Sequence, residues 1–342
     1  MNIRDIAKIA GVGVSTVSRV LNNHHDVKES TREKVMKVIK ESNYVPNNSA
    51  RILKQNSTNH IGLLVKGVFN PMFSEMANII GGIINSSKYT MILEQNDYKL
   101  VDDFETLQAF IKEKRLRGAI CLGGNFETVS KEQLDSLEVP VVLTSVNMLF
   151  DSEDSKYSSV GINNTESAYI ATKYLINLGH TNIVVMIGEE NDLGISWSRL
   201  KGYKEAMEES GLEFNTSNIL VGDYNSSKAY EVTRKFLKDR KQDVTAIFSI
   251  SDVMAIGVAK AIVDEGLIIG EDISLVGFDG MDVSKFYNPG ITTIKQPRIE
   301  MAEKSANLLL DLLNKSQKNQ HIILKTELIE RHSCKKIINN KL

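Results

Sequence analysis

The sequence predicts a small all-α headpiece followed by a larger α/β core of two Rossmann-like parallel-sheet subdomains. Residues 3–22 have the pattern of two short helices joined by a tight turn. From residue 60 onward, apolar runs of strand length alternate with amphipathic helices through two cycles. At 342 residues the chain is also too long for one ordinary hydrophobic core.

The first twenty-two residues match a helix-turn-helix unit. Helices are predicted over 3–10 and 14–21, and Gly11 lies at the bend, where a left-handed residue is favourable. The apolar residues that would close a core between crossed helices are Ile6, Ala7, Ala10, Val12, Val17 and Val20. The second helix keeps a polar outer face, and in this motif that helix lies in the DNA major groove. An ordinary helical hairpin at a domain edge is the alternative interpretation.

A third helix and a polar connection follow. Residues 30–33 read as a capping box that opens a helix, and Pro46 ends it. Residues 48–54 have helix propensity but are too few to hold a helix in water, so they could fold only when bound. A plain linker is the alternative interpretation. The predicted domains are the headpiece at 1–47, a hinge helix and linker at 48–59, and the core at 60–342.

Charge is distributed unevenly along the chain. Residues 1–54 carry ten Lys or Arg and five Asp or Glu, a formal charge of +5. The remainder carries 31 basic and 38 acidic residues, a formal charge of −7. A basic segment attached to an acidic body is typical of a tethered nucleic-acid-binding module, although a solvated face would look the same.

The core divides into a repeated strand-and-helix pattern. Its predicted strands are 61–67, 89–95, 117–124, 139–145, 158–162, 182–189, 245–251 and 274–280. Its predicted helices are 72–87, 101–114, 164–178, 198–210, 252–265 and 300–314. Residues 291–297 and strands near 322–333 are expected to complete both subdomains. We therefore expect one subdomain at about 60–160 plus 291–321, and the other at about 161–290 plus 322–342.

Motifs of catalysis and metal binding are missing from the sequence. It has no Walker A loop, complete dinucleotide fingerprint, GxSxG elbow, HExxH motif or EF-hand loop. Cys121 and Cys334 are far apart and lack CxxC spacing, which argues against a disulfide framework or a structural zinc. We expect no enzymatic activity, cofactor or metal. The lack of a signal-peptide pattern or a spanning apolar run predicts a soluble cytoplasmic protein.

Several motifs occur in order along the chain: IRDIAKIAGV, TVSRVLN, VKESTREKV, YVPN, SARILK, IGLLV, GHTNI (179–183), RLKGY, SDVMAIG, GFDG and TTIKQP. Over essentially the whole chain, these motifs resemble the lactose/galactose repressor (LacI/GalR) family. This resemblance implies a two-lobed, periplasmic-binding-protein-like core and a ligand-responsive transcriptional regulator, most often a repressor of carbohydrate uptake or catabolism genes. A solute-binding receptor shares the two-lobed body but should carry a secretory signal and no headpiece.

The resemblance also assigns DNA contacts. The base-reading positions would be Val14, Ser15 and Arg19. Arg19 can donate a bidentate pair to guanine, whereas Val14 offers only apolar contact. Phosphate and sugar contacts would come from Thr16, Ser18, Asn22, Thr31, Tyr44 and Asn47. Gly13 departs from the family, which usually has serine at this position.

In the hinge, the resemblance implies a helix that folds on operator DNA. Leu53 would be the wedge inserted into the minor groove, with Ser49, Ala50 and Arg51 as further contacts. Two hinge helices must pair, which implies a homodimer on a near-palindromic operator.

The effector is expected between the subdomains, at the carboxyl ends of the strands. The resemblance places five residues around it: Phe73, Arg199, Tyr224, Asp252 and Asp279. Ser196 and Trp197 are further candidate wall residues. A sugar or sugar phosphate is the first expectation and a purine the second. A phosphocarrier protein bound to the N-terminal subdomain as corepressor is the third. Whether the effector releases or strengthens DNA binding is left open by the sequence.

Overall fold

The computed structural model describes residues 1–21, 24–42, 44, 59–67, 70–96, 102–147, 156–190, 192–240 and 244–337. It divides into two compact units, Met1–Thr58 and Asn59–Leu342. The described helices of the first unit are α1 (Ile3–Ala10), α2 (Val14–Leu21) and α3 (Glu29–Glu41). The headpiece thus has the predicted order of helices.

The three helices share one small core. Its buried members are Ile6, Ala7, Ala10, Val17, Val20 and Val35, and the half-buried Val12 packs against them. The Asn2 side chain caps α1 in a capping box with Asp5. The capping box predicted at 30–33 is wrong. Because α3 begins at Glu29 and its N-cap is Lys28, Ser30 lies within the first turn and cannot act as the cap.

The second unit alternates strands and helices along the chain. The elements up to residue 162 are β1 (His60–Lys66), α4 (Pro71–Asn85), β2 (Thr90–Asn96), α5 (Asp103–Lys114), β3 (Gly118–Leu122), α6 (Lys131–Asp135), β4 (Val141–Thr144) and β5 (Tyr157–Ile162). Those from 163 to 264 are α7 (Asn164–Asn177), β6 (Ile183–Ile187), α8 (Ile195–Glu209), a 3₁₀ turn (Thr216–Asn218), β7 (Ile219–Val221), α9 (Ser226–Arg240), β8 (Ala246–Ser249) and α10 (Asp252–Asp264). The last elements are β9 (Ser274–Asp279), α11 (Asp282–Phe286), β10 (Thr292–Lys295), α12 (Arg298–Leu313), β11 (His321–Leu324) and β12 (Glu327–Ile329).

These strands form two six-stranded sheets. The first has the order β11-β5-β4-β3-β1-β2 and is parallel throughout. The second has the order β12-β10-β9-β8-β6-β7, and only β12 is antiparallel to its neighbour. Central strands such as β3 and β9 are buried along their whole length. Helices therefore cover both faces of each sheet, as the continuous apolar strands predict.

The subdomain boundaries predicted near residues 291 and 322 differ from the observed sheets. β10 belongs to the second sheet, where Thr292 pairs with Val276 of β9. β11 belongs to the first sheet, where His321 pairs with Ser159 of β5. The chain thus crosses between subdomains after β10 and again after β11. An apolar strand pattern fits either sheet, and only the pairing partner decides which sheet it joins.

The apolar pattern also leaves several elements unpredicted, among them the short helices α6 and α11 and, in the second subdomain, β7 and α9. β7 is a three-residue edge strand, which is too short for a periodic signal. α9 buries Ala229, Thr233 and Leu237 at four-residue spacing in an otherwise polar sequence. Small and hydroxyl side chains on the buried face give a weak helical pattern, since hydrophobic periodicity depends on large apolar residues.

Candidate ligand cleft and nucleic-acid interface

The turn between α1 and α2 sets the crossing of the two helices. Gly11 has φ 61° and donates its N–H to the carbonyls of Ala7 and Lys8, and the N–H of Val12 also donates to Ala7 at 3.0 Å. A left-handed conformation costs other residues roughly 1–2 kcal/mol. Glycine thus lets the chain reverse within three residues while both helices keep a shared core.

The outer face of α2 presents the three predicted base-reading residues together. Val14, Ser15 and Arg19 are all exposed to solvent. Arg19 Nη1 lies 3.2 Å from Asp26 Oδ2, with about half of each side chain exposed. Such an exposed ion pair contributes little to stability. The guanidinium can therefore exchange Asp26 for a base edge at small cost.

The other predicted DNA contacts are only partly described. Thr16, Ser18 and Thr31 are half-buried on the headpiece helices. Tyr44 packs against the headpiece core and donates its N–H to Ile39 at 3.1 Å. The predicted contacts that lie outside the described residues are Asn22, Asn47, Ser49, Ala50, Arg51 and Leu53.

Gly13 is not required by the local geometry. Its carbonyl accepts the N–H groups of Thr16 at 2.9 Å and Val17 at 3.1 Å, so it is the N-terminal cap position of α2. Its φ is outside the left-handed region, and a Cβ atom there would lie 3.5 Å from Ser15 Oγ, an ordinary contact. A serine would fit at this position without backbone strain.

A cleft lies between the two sheets, where their parallel strands end. It encloses about 680 Å³, part of it open to solvent. Its walls contain Lys66, Asn70, Met72, Phe73, Gly123, Gly124, Asn125, Ser145, Glu189, Asp192, Ile195, Arg199, Tyr224, Ser251 and Asp279. Four of the five residues predicted to hold the effector, all except Asp252, are among them.

Arg199 is held rigidly at the base of the cleft. It is 3% exposed, and its Nη1 lies 3.8 Å from Asp279 Oδ1. Nε donates to Asn164 Oδ1 at 3.0 Å and Nη1 donates to the Ile250 carbonyl at 2.5 Å. The guanidinium carbon also lies 3.6 Å from the centre of the Phe278 ring. The polar edge of Arg199 is thus positioned before any ligand arrives.

Asp279 provides a buried acceptor in the cleft wall. It ends β9 with φ 117°, and its Oδ1 accepts from Gln296 Nε2 at 2.8 Å. Its Oδ2 is buried without a hydrogen-bond partner among the described residues. Burial raises the pKa of the Asp279 carboxyl to about 6, against the opposing effect of the Arg199 charge. A ligand hydroxyl would satisfy the unpaired oxygen, which is costly to leave buried.

The assignment of Asp252 to the effector site needs correction. Its carboxylate is fully buried and is used within the fold. Oδ2 accepts from the Met281 N–H at 2.7 Å and from Ser284 Oγ at 2.9 Å, and Oδ1 accepts from Thr293 Oγ1 at 2.7 Å. Burial and the charge of Asp279 raise the pKa of Asp252 to about 7. Asp252 therefore ties the turn after β9 to β10 instead of facing the cleft.

Tyr224 forms one wall of the cleft in a fixed orientation. Its ring covers Gly188 so closely that a Cβ atom there would lie 2.0 Å from it. Its hydroxyl lies 2.9 Å from Ser196 Oγ and donates to Asp192 Oδ2 at 3.2 Å. Ser196 thus supports the wall from behind. Trp197 is 52% exposed and is not among the lining residues.

Several lining residues that were not predicted from the sequence share one position in the fold. Each follows or ends a strand: Lys66, Asn125, Ser145, Glu189 and Ser251. Because parallel strands of both sheets point toward the cleft, residues immediately after a strand collect there. The sequence signal for this set is a polar residue at or just after the end of a predicted strand.

The cleft is not electropositive despite its two cations. Lys66 Nζ lies 2.6 Å from Asp103 Oδ2, and Asp103 also accepts from Asn96 Nδ2 at 2.8 Å. Arg199 faces Asp279 as described. Glu189 and Asp192 add further carboxylates to the walls. The cleft therefore favours ligands that donate hydrogen bonds over ligands that carry negative charge.

Two sets of side chains join the subdomains beside the cleft. Arg298, at the start of α12, donates from Nε to Glu75 Oε2 at 2.5 Å and from Nη1 to the Gly280 carbonyl at 3.2 Å. Asn147 Nδ2 donates to Ser198 Oγ at 2.9 Å. A ligand that changes the separation of the lobes must change these contacts.

In the described part of the chain, no group of three or more His, Cys, Asp or Glu side chains could hold a metal ion. No helix within the described residues is long and apolar enough to cross a membrane.

Comparison with known proteins identifies two family models in the chain. Residues 2–47 match the bacterial regulatory proteins of the lacI family, which is the region of the headpiece. Residues 172–334 match a periplasmic binding protein-like domain.

Full-length relatives have the same architecture. The chain is 59% identical to the HTH-type transcriptional regulator MalR of Clostridium butyricum over 334 residues, 98% of this chain and 99% of the relative. It is 33% identical to the HTH-type transcriptional repressor PurR of Vibrio parahaemolyticus serotype O3:K6 (strain RIMD 2210633) over 339 residues, 98% of this chain and 99% of the relative.

Solved structures agree with this assignment. A complex of the transcriptional regulator CelR with cellobiose matches at a TM-score of 0.70 and 28% identity, over 97% of this chain and 99% of that one. The lac repressor dimer bound to operator and the anti-inducer ONPF shares the fold at a TM-score of 0.77 and 24% identity, over 98% and 99% of the two chains. The chain therefore belongs to the LacI family of bacterial regulatory proteins and is a ligand-binding, DNA-binding transcriptional regulator, not an enzyme.

Proposed function

We propose that this regulator represses carbohydrate uptake or catabolism genes and responds to an uncharged sugar bound in the cleft. The observation that carries the proposal is the unpaired, buried Oδ2 of Asp279 beside the fixed guanidinium of Arg199. A sugar hydroxyl can donate to the former and accept from the latter. The rings of Phe73 and Tyr224 add the apolar surface on which a sugar ring packs.

An uncharged sugar is favoured over a sugar phosphate. Both cations of the cleft already face carboxylates, Lys66 with Asp103 and Arg199 with Asp279. A phosphate group would have to compete with these pairs and approach Glu189 and Asp192. The resulting like-charge repulsion opposes an anionic ligand. The solved structure of CelR, which is 28% identical to this chain, is a complex with cellobiose. This relative also supports a neutral saccharide as the ligand.

We further propose that the active unit is a homodimer. Each subdomain exposes large apolar side chains: Leu93 on the edge strand β2 is 46% exposed, and Val263, Ile268 and Phe286 are 50%, 61% and 76% exposed. Burial of such residues against a second copy would stabilise a symmetric pair. Sedimentation of the full chain tests this, and a monomer at micromolar concentration would contradict it.

A chain of amides offers a route from the cleft to the junction of the lobes. Asn164 accepts from Arg199 Nε at 3.0 Å and donates to Asn147 Oδ1 at 3.1 Å. Asn147 in turn contacts Ser198. A sugar that pulls Arg199 changes this chain and, with the Arg298 contacts, the separation of the lobes. In the proposed mechanism, this change biases whether the hinge segments of the dimer fold on the operator.

A thermal-shift experiment tests the effector class. The full-length protein is heated with cellobiose and other glucose disaccharides, with their phosphorylated forms, and with purine bases. We expect a neutral saccharide to raise Tm, by stabilisation of about 2.7 kcal/mol at 100 times Kd. Asp279→Ala should lose the shift, whereas the exposed-site control Lys201→Ala should keep it.

Two outcomes would contradict the sugar assignment. A shift produced only by phosphorylated sugars would show that the cleft accepts negative charge. A shift produced only by purines would favour the second ligand class expected from the sequence. A phosphocarrier protein as corepressor stays a prediction that this experiment does not address.

A further inference from the structure

A short basic segment lies at one end of the first subdomain. We call Lys112, Lys114, Arg115 and Arg117 the basic edge. All four are exposed at the end of α5 and before β3. Only one carboxylate, Glu113, interrupts them in the sequence. The segment therefore concentrates positive charge on a core that is acidic as a whole.

The basic edge lies where the chain from the headpiece enters the core. The Arg117 N–H donates to the His60 carbonyl at 2.8 Å, and Ile61 of β1 pairs with Gly118 of β3. In a parallel α/β unit the strand beginnings and helix ends share one edge of the sheet. Residue 59, the first described residue of the core, is thus next to the basic edge.

Further cations occupy the same end of the sheet. Lys88 precedes β2 and donates to Asn314 Oδ1 at 3.3 Å, which places the end of α12 there as well. Lys156 precedes β5, and Lys315 follows α12. All three lysines are exposed. The carboxylates at this end, besides Glu113, include Asp135, Glu138 and Asp311, which lies in the last turn of α12. Cations exceed carboxylates even with these included.

The basic edge also differs from other cationic positions in its ion pairing. Within the described ranges, no carboxylate forms an ion pair with Lys112, Lys114 or Arg117. In the second subdomain, by contrast, five cations each face a carboxylate: Lys173, Lys201, Arg234, Lys260 and Lys335. The charges of Lys112, Lys114 and Arg117 are therefore available to an external anion.

We propose that the basic edge contacts the phosphate backbone of the DNA that the headpiece holds. This inference rests on the DNA-binding function of the chain. Residues 45–58 connect Tyr44 to Asn59, a tether that spans at most roughly 50 Å when fully extended. Tethering at this range gives a high effective concentration of phosphates near the edge. Lysine and arginine side chains that meet phosphates supply affinity without sequence preference.

A charge-matched pair of variants tests the proposal. The full-length triple variant Lys112→Ala/Lys114→Ala/Arg117→Ala is compared with Lys201→Ala/Lys228→Ala/Lys235→Ala, which removes three exposed cations from the second subdomain. Both lose the same net charge, so general attraction to DNA is held equal. Operator and non-operator binding is measured by fluorescence anisotropy at several salt concentrations.

We expect the edge variant to weaken operator and non-operator binding by the same factor. The slope of log affinity against log salt should become shallower by about 0.9 for each lost phosphate contact. The control variant should keep the slope of the unmodified protein. Retention of the saccharide-induced Tm shift by the edge variant would show that its core is folded.

Equal slopes and affinities for the edge and control variants would overturn the proposal. The edge would then serve another anionic partner or only solvation. Failure of the unmodified protein to bind operator would instead count against the DNA-binding function itself. The two failures are therefore distinguishable.

Discussion

Asp279 combines three properties that rarely occur in one structural carboxylate. Its backbone has φ 117°, its side chain is 2% exposed, and one of its oxygens is unpaired among the described residues. Strained backbone and uncompensated burial both cost stability, and such costs concentrate at functional positions. Because Asp279 lies in the cleft wall, a ligand that donates a hydrogen bond to it would offset part of this loss of stability.

The raised pKa of Asp279 predicts that sugar binding depends on pH. Burial raises this pKa to about 6, so the carboxylate is ionised at pH 7.5 and mostly protonated at pH 5. If hydroxyls donate to the ionised form, affinity is constant above pH 7 and falls about tenfold by pH 5. Calorimetric titration across this range measures it. Asp279→Asn should bind weakly with a flat profile, and an unchanged affinity at pH 5 would contradict the acceptor role.

If Arg19 reads a base, its removal should reduce the preference for operator DNA more than the general affinity for DNA. Arg19→Ala should lose the preference for operator over random DNA, because its bidentate contact to guanine is worth roughly 1–3 kcal/mol. Salt-sensitive binding to any duplex should remain. Asp26→Asn is the matched control, since it releases Arg19 from its exposed ion pair and should leave specificity intact. Competition gel shifts read both quantities, and simultaneous loss of both by Arg19→Ala would indicate damage to the headpiece fold.

The sequence does not distinguish which of two adjacent polar residues, Ser251 or Asp252, faces the cleft. Both are polar and both follow β8, so either fits a ligand at the strand end. The structure makes Ser251 the N-cap of α10 and a lining residue, and turns Asp252 inward. The first residue of a helix decides which side chain faces the cleft, and helix starts are uncertain by one or two residues from sequence alone.

At the scale of elements, α2 offers a direct test of local stability. Gly13→Ser should cap α2 and stabilise the headpiece by a few tenths of a kcal/mol, since serine exceeds glycine slightly as an N-cap. Gly11→Ser should destabilise it by roughly 1–2 kcal/mol, because φ 61° suits glycine. Hydrogen exchange of the α2 amides in the full chain compares the two. Lower protection in Gly13→Ser would contradict the interpretation of its geometry.

The hinge carries a further prediction, although Leu53 lies outside the described residues. Leu53→Ala should weaken operator binding while sugar affinity stays unchanged, because the wedge acts only in the minor groove. A gel-shift titration of full-length protein measures the first effect, and the saccharide-induced Tm shift measures the second. Equal operator affinity for the two proteins would refute the wedge assignment.

The positions of the strands were predicted from the sequence more accurately than the sheet that each strand joins. Central strands such as β1, β3 and β9 are long apolar runs, and their positions are confirmed within one or two residues. The predicted membership of β10 and β11 was wrong, because an apolar strand pattern does not identify the pairing partner. β11 joins β5 through His321 and Ser159, which are 162 residues apart, whereas β10 joins the preceding strand β9 through Thr292 and Val276. Local patterns carry no information about such pairing.

In the proposed mechanism, the molecule couples two binding events. The headpiece has its own small core, and the ligand cleft belongs entirely to the second unit. Coupling must therefore pass through a change in the second unit that the DNA-bound dimer can sense. The contacts of Arg298 and the amides of Asn147 and Asn164 cross or adjoin the junction of the lobes. Allosteric free energies of this kind are typically 1–3 kcal/mol.

We propose that a neutral sugar in the cleft controls operator binding through Asp279. The decisive experiment measures the operator affinity of the full-length protein by fluorescence anisotropy, with and without a saturating glucose disaccharide. We expect Kd to change by about 5- to 150-fold for the unmodified protein and not at all for Asp279→Ala, with equal basal affinities. An operator Kd that is unaffected by every neutral saccharide, or a full response by Asp279→Ala, would contradict it.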